Sequence, residues 1–164
     1  MAYKVLKNVS LKDVTTSGIA SLKTDLLVLV INKNTKNDSA FKDLNKVSKN
    51  YISKTIQSHL KDSGSSILLP KIDGISALNI LIVKGIEAKE PTHKWLSMYQ
   101  SIAQKGNKIK AKDISVMPGK VSPDGKDEMW LIEMVAKTVE SNVYIFSETK
   151  NKTVQKPSVK KLNI

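Results

Sequence analysis

The chain is punctuated by short apolar runs set between longer stretches of helical periodicity. Residues 26 to 31, within "TDLLVLVINKN", are almost uninterrupted in their apolar character and read as a strand covered on both faces. "SSILLPKID" and "ALNILIVKGI" are two further strands, separated by a turn that holds Asp73 and Gly74. So short a connection predicts antiparallel neighbours, because parallel strands need a long crossover. The opening "MAYKVLKNV" places Tyr3, Val5 and Val9 against Lys4 and Lys7, an alternation that suits a strand with one wet face. "KDISVMPGK" is a weaker strand, and the proline and glycine of "VSPDGKD" mark a loop.

Between these runs the period changes from two to between three and four. Phe41, Leu44, Val47, Tyr51, Ile52, Ile56 and Leu60 make one stripe, which predicts a single long helix with Asp38 or Ser39 capping its first amides. Gly64 fits the left-handed position that closes such a helix. A second helix is expected from Thr92, behind Pro91, with Trp95 or Leu96, Tyr99, Ile102 and Ala103 facing inward and Gly106 stopping it. A third runs from about Lys126 to Phe146, with Trp130 or Leu131, Met134, Val135, Thr138 and Val139 toward the core, and Met129 among the core residues as well. Strands alternating with helices predict an α/β fold: a three-layer α/β/α sandwich built on a mixed sheet. The periodicity fades after residue 147. Residues 148–164, with lysines at 150, 152, 156, 160 and 161, read as a linker or tail behind a domain of residues 1–147.

Composition narrows the chemistry. A chain of 164 residues can bury a substantial core without covalent staples. It has no cysteine, which excludes disulfides, thiolate metal sites and a cysteine nucleophile. No apolar run is long enough to span a bilayer and the N-terminus has no signal-peptide layout, so the expected location is cytoplasmic with no membrane partner. The net charge is +12, and all 27 basic residues are lysine. Lysine is a mobile point charge without the fork that arginine presents to guanine edges and phosphates. That disfavours sequence-specific DNA reading and leaves nonspecific nucleic-acid contact open; a lysine bias across a whole proteome is the simpler reading.

Candidate sites are few. Gly85, where a strand meets a helical turn, invites a phosphate-binding reading. The dinucleotide pattern needs several clustered glycines, however, and Glu87, Glu90 and Pro91 follow this one. His59 near a helix end and His93 in a first turn have no partner at catalytic spacing. Asp124, Asp127 and Glu128 lack the oxygen spacing of a calcium loop and read as helix capping. No residue is assigned a catalytic, cofactor-binding or metal-binding role.

The order of elements does resemble a known family. "TDLLVLVINK", "LNKVSKNYISKTIQSHLKDSGSSILLPKIDGISALNILIVKGIEAKE" and "WLIEMVAKTVESNVYIFSETKNK" together are similar to the N-terminal domain of the leucyl (cytosol) aminopeptidases, over roughly residues 25 to 152. The resemblance implies a macro-domain-like topology joined by a linker to a larger catalytic domain, which holds two divalent ions (Zn, Mn or Mg) in a hexameric enzyme. The family's metal-ligand motifs have no counterpart here, so no ligand is carried onto this chain and its own cofactor count is none. The function implied is that of a non-catalytic domain of a metal-dependent aminopeptidase, with assembly or partner contact as its role. The alternatives are a nonspecific nucleic-acid-binding module or, on the macro-like topology, an ADP-ribose-binding domain.

Overall fold

The computed structural model describes residues 8–11, 18–33, 35, 38–143, 159 and 161–164. In chain order these form β1 (Asn8–Ser10), β2 (Leu26–Ile31), α1 (Ser39–Val47), α2 (Tyr51–His59), β3 (Ser66–Pro70), β4 (Asn79–Lys84), α3 (Thr92–Lys108), β5 (Asp113–Met117), α4 (Glu128–Val143) and β6 (Lys161–Asn163). The sheet order is β1-β6-β5-β2-β4-β3. All pairings are parallel except β3 with β4, the antiparallel pair expected from their short connection.

Alternation along the strands sorts side chains between two cores. Leu26, Val28, Val30, Leu81 and Val83 face α3 and α4, where they meet Trp95, Tyr99, Ile102, Leu131 and Val135. Leu27, Leu29, Ile31, Ile80 and Ile82 face the other way, toward Phe41 and Leu44 of α1 and Ile52 of α2. Six consecutive buried residues in β2 are thus explained by helices on both faces, and the architecture is the expected three-layer sandwich with a mixed sheet.

Several details depart from the sequence expectations. The single long helix is two, broken at Ser48, Lys49 and Asn50, the last two with φ of 52° and 63°. Short polar side chains compete with the helical backbone here. Ser48 Oγ donates to the Asn45 carbonyl, Asn45 Oδ1 accepts from the Ser53 amide, and Asn45 Nδ2 donates to Asn50 Oδ1. The apolar stripe survives the break because Ile52 and Leu60 still face the sheet, but Val47 and Tyr51 turn to solvent.

Gly106 does not stop α3. It lies inside the helix, where an added Cβ would stand 2.5 Å from Ile114 Cδ1, and the helix runs on to Lys108. The left-handed residue beyond that end is Lys110, with φ 58°. Met129 is exposed rather than part of the core, because it falls on the outer face of α4. Tyr3 and Val5 of the expected first strand, and Phe146 at the expected end of the last helix, lie outside the described residues.

The end of the segment read as linker is part of the sheet. Lys161–Asn163 inserts as β6 between β1 and β5, with Val159 and Leu162 fully buried. Three residues opening on a lysine carry too little periodicity to announce a strand, and the pairing is supplied by neighbours distant in sequence. Residues 148–158 and 160 lie outside the described residues.

Candidate functional site: a cleft at the strand ends

The parallel strands β2, β4 and β5 end at one pole of the sheet, where crevices between crossover connections commonly hold ligands in α/β folds. β2 gives way to Asn32, whose backbone amide donates to Thr35 Oγ1 at 2.7 Å while its carbonyl accepts from the Thr35 amide at 3.0 Å. The Asp38 amide then donates to the Thr35 carbonyl, and Asp38 Oδ1 caps α1 by accepting from the Ala40 amide at 2.9 Å. Of the two capping residues expected, the structure selects Asp38.

Two glycines close around the Asn32 side chain. The Gly85 amide donates to the Ile31 carbonyl at 2.8 Å, and a Cβ on Gly85 would collide with the Asn32 amide group. Gly119 has φ 77°, and a Cβ there would come within 3.2 Å of both Asn32 Oδ1 and the Val30 carbonyl. The sequence treated Gly85 as a strand-end turn. The structure adds the reason a side chain is excluded: two neighbouring strand ends close on the carboxamide of a third. Asn32 Oδ1 itself is buried with no hydrogen-bond partner among the described residues.

Two cavities adjoin this point. One of about 250 Å³ runs between Asn32, Thr35, Asp38 and Phe41 on one side and Met117, Gly119 and Val121 on the other. The second, of about 420 Å³, lies between Ile56 of α2, Leu60 just beyond that helix, and the Gly85 to Ala88 turn. The smaller is walled mainly by apolar side chains, and the larger mixes Ile31, Phe41, Ile56 and Leu60 with polar Ser53 and Gln57. Their charged rim is paired: Glu87 lies 3.4 Å from Lys33 and 3.9 Å from Lys89, and Lys120 is 3.7 Å from Asp38. Outside the cleft, Glu90 is held below the usual carboxylate range by its hydrogen bond to Lys94, 2.6 Å away.

The other sequence candidates are not brought into the cleft as a group. His59 and His93 are exposed on different helices. Asp127 Oδ1 accepts from the Trp130 amide at 2.8 Å, which is the capping role expected of it. Among the described residues no three His, Asp or Glu side chains gather closely enough to hold a metal ion. The cleft residue that sequence reasoning missed is Asn32. Its only sequence signal is a polar residue directly after an unbroken apolar strand.

The model of the cytosol aminopeptidase family, N-terminal domain, matches residues 27–153. The chain belongs to that family. It is similar to a mutant of tomato leucine aminopeptidase, with a TM-score of 0.68 and 19% identity, covering 94% of this chain and 31% of that one. It therefore spans about a third of that enzyme's length. The fold is also that of macrodomains. The Trypanosoma brucei macrodomain matches with a TM-score of 0.69 at 12% identity over 98% of this chain and 62% of that one, and its ADP-ribose complex matches with 0.67 at 13% over 98% and 65%. No curated protein sequence matches this cytosol aminopeptidase domain.

Proposed function

We propose that the chain is the non-catalytic N-terminal domain of a cytoplasmic, metal-dependent leucyl aminopeptidase, serving assembly or partner contact in the intact enzyme. The observation that carries the reading is the family match over residues 27–153, in a chain that spans only about a third of the tomato enzyme. In this reading the peptide-cleaving chemistry belongs to a second domain of the same polypeptide. Two-metal hydrolysis clamps both oxygens of the reaction between ions held by several carboxylates, and Zn, Mn or Mg would be bound there. Intact subunits would form a homo-hexamer.

The test is to assay this chain with a leucine chromogenic substrate and manganese, beside the full-length enzyme. Turnover by the full-length enzyme alone is the expected result. Turnover by the 164-residue chain would overturn the reading.

The cleft favours a second reading, in which this pole takes a nucleotide such as ADP-ribose. Its support is the buried Asn32 Oδ1, unpartnered among the described residues and beside two cavities, in a fold shared with a macrodomain solved with ADP-ribose. It ranks second because a diphosphate needs several converging backbone amides, and here Glu87 stands at the rim with only Gly85 and Gly119 close by. Heat evolved on titrating ADP-ribose, lost in Asn32→Ala, would raise it; a flat titration removes it.

A further inference from the structure

One margin of the sheet is β3, whose outer side pairs with no strand among the described residues. Side chains alternate along it. Ile67 and Leu69 pack into the core shared with α1 and α2, which turns Ser66 and Leu68 to the opposite face, the one that carries α3. Leu68 pairs with the buried Leu81 of β4 yet is itself 41% exposed, because it lies at the sheet margin. Ser66 Oγ, on the same face, accepts a hydrogen bond from Lys105 Nζ in the last turn of α3.

This contact sets Lys105 apart. Lys33, Lys89, Lys94, Lys120, Lys137 and Lys161 each lie beside a carboxylate, a neighbour that favours the ammonium form. Lys84 donates to the Lys61 carbonyl, a group that can only accept. Lys105 instead meets a neutral hydroxyl, with no carboxylate in ion-pairing reach among the described residues. A hydroxyl accepts from the ammonium and can donate to the amine once the proton is lost, so it suits both forms. The helix dipole accounts for a cation in this turn, but Lys108 answers it from an exposed position, whereas Lys105 is drawn in against the strand. Partial burial disfavours its charged form and holds Lys105 below the ordinary lysine value. More of it is therefore free amine at neutral pH, and the amine is the nucleophile.

We propose that Lys105 is a site of Nε-acylation by small activated acyl donors, acyl phosphates or acyl thioesters, with Ser66 holding the amine at the sheet margin and Leu68 flanking the incoming acyl group. The ammonium first releases one proton to water. The amine nitrogen then attacks the acyl carbonyl carbon, a nitrogen–carbon bond forms, and the bond from that carbon to phosphate oxygen or thioester sulfur breaks. The leaving group departs with the electron pair and takes up the second proton that the nitrogen sheds. The product keeps one N–H for Ser66 Oγ, so the contact survives while the charge is lost. Charged side chains at a free sheet edge discourage strand-to-strand association, and acylation withdraws one of them. The inference does not rest on the aminopeptidase reading and does not involve the strand-end cleft.

The experiment treats the whole 164-residue protein to low extent with acetyl phosphate and, in parallel, with an acetyl thioester, and reads the occupancy of all 27 lysines by peptide mass spectrometry. Lys105 should gain acetyl several-fold faster than the median lysine, and a preference for either donor names the acyl source. Ser66→Asp sets a carboxylate against the ammonium and should slow Lys105 by about tenfold or more, with Lys108 in the same turn unchanged. Ser66→Thr keeps the hydroxyl on a residue suited to a strand and should keep the rate. Thermal unfolding checks that both variants fold, and the ranking of lysines within the parent chain is a test that needs neither of them. Labelling of Lys105 at or below the median with both donors, acetyl recovered on Ser66 in its place, or equal rates in the parent and a folded Ser66→Asp would each overturn the proposal.

Discussion

Asn163 in β6 donates its side-chain amide to Asp113 Oδ1 of β5 at 2.9 Å and to Ser115 Oγ at 2.9 Å, while its own Oδ1 accepts from Ser10 Oγ of β1 at 2.8 Å. One side chain thereby bridges three strands. Ser115 Oγ extends the network by donating to Thr24 Oγ1, just before β2. Asn163, Ser115 and Thr24 are all buried, so each lost bond leaves a desolvated group behind.

The segment after residue 158 is consequently part of the fold. Asn163→Ala should destabilise the protein by about 2–3 kcal/mol, since three partners lose a bond in a site water does not freely reach. Deleting residues 159–164 should cost more, because it removes the buried Val159 and Leu162 and opens the β5 edge. Urea unfolding of both variants checks this. A truncated chain with an unchanged midpoint would mean that β6 contributes nothing to the sheet.

Gly106 sets how closely α3 approaches the sheet. With a Cβ placed 2.5 Å from Ile114 Cδ1 and 3.7 Å from Leu26 Cδ2, Gly106→Val should destabilise by about 1–3 kcal/mol. Gly106→Ala gains roughly 1 kcal/mol of helix propensity against that crowding. Ile114→Val deletes the obstructing methyl. The pair G106A/I114V should therefore be more stable than the sum of its single variants, a coupling that a double-mutant cycle measures directly.

The sequence was most legible where one residue's neighbours in the chain decide its place. Six apolar residues in β2, the Asp73–Gly74 turn and the inward face of Trp95, Tyr99, Ile102 and Ala103 all follow from local pattern, and so does their sum, a mixed sheet between helices. It was less legible where distant residues decide. Gly106 reads as a stop signal until Ile114 and Leu26 are seen packed against it, and β6 is a strand only because β1 and β5 flank it. The break at Ser48–Asn50 is intermediate. Its cause, the cluster of Asn45, Ser48 and Asn50, is local, but the apolar stripe running across it masks the signal. At the cleft, Asn32 escaped notice because its surroundings come from Gly85 and Gly119, just beyond the ends of other strands.

Tyr99 is fully buried in α3, and its hydroxyl has no hydrogen-bond partner among the described residues. Burial alone pushes its ionisation well above the ordinary tyrosine value. For an acid raised on folding, the unfolded chain ionises first, at about pH 10. The stability tied to this group is whole below that pH and declines as the pH rises past it. Tyr99→Phe deletes the stranded hydroxyl. It should stabilise the domain by about 1 kcal/mol at neutral pH and lessen the alkaline decline, as urea midpoints on either side of the tyrosine range would report.

The same logic applied to Asn32 separates structure from binding. Its Oδ1 is buried without a partner among the described residues, a cost of about 1–3 kcal/mol that the folded chain carries at the mouth of both cavities. If that oxygen contributes nothing but cost, Asn32→Ala should leave the unfolding midpoint unchanged or raise it, even though the site is enclosed by Gly85 and Gly119. A polar atom retained at a net cost fits a ligand more readily than a scaffold. The expected outcome is therefore paired: stability held or gained in Asn32→Ala, and any nucleotide heat seen with the parent chain abolished. A variant that unfolds earlier than the parent would instead assign Asn32 to the packing of the three strand ends, and the nucleotide reading of the cleft would lose the observation that supports it.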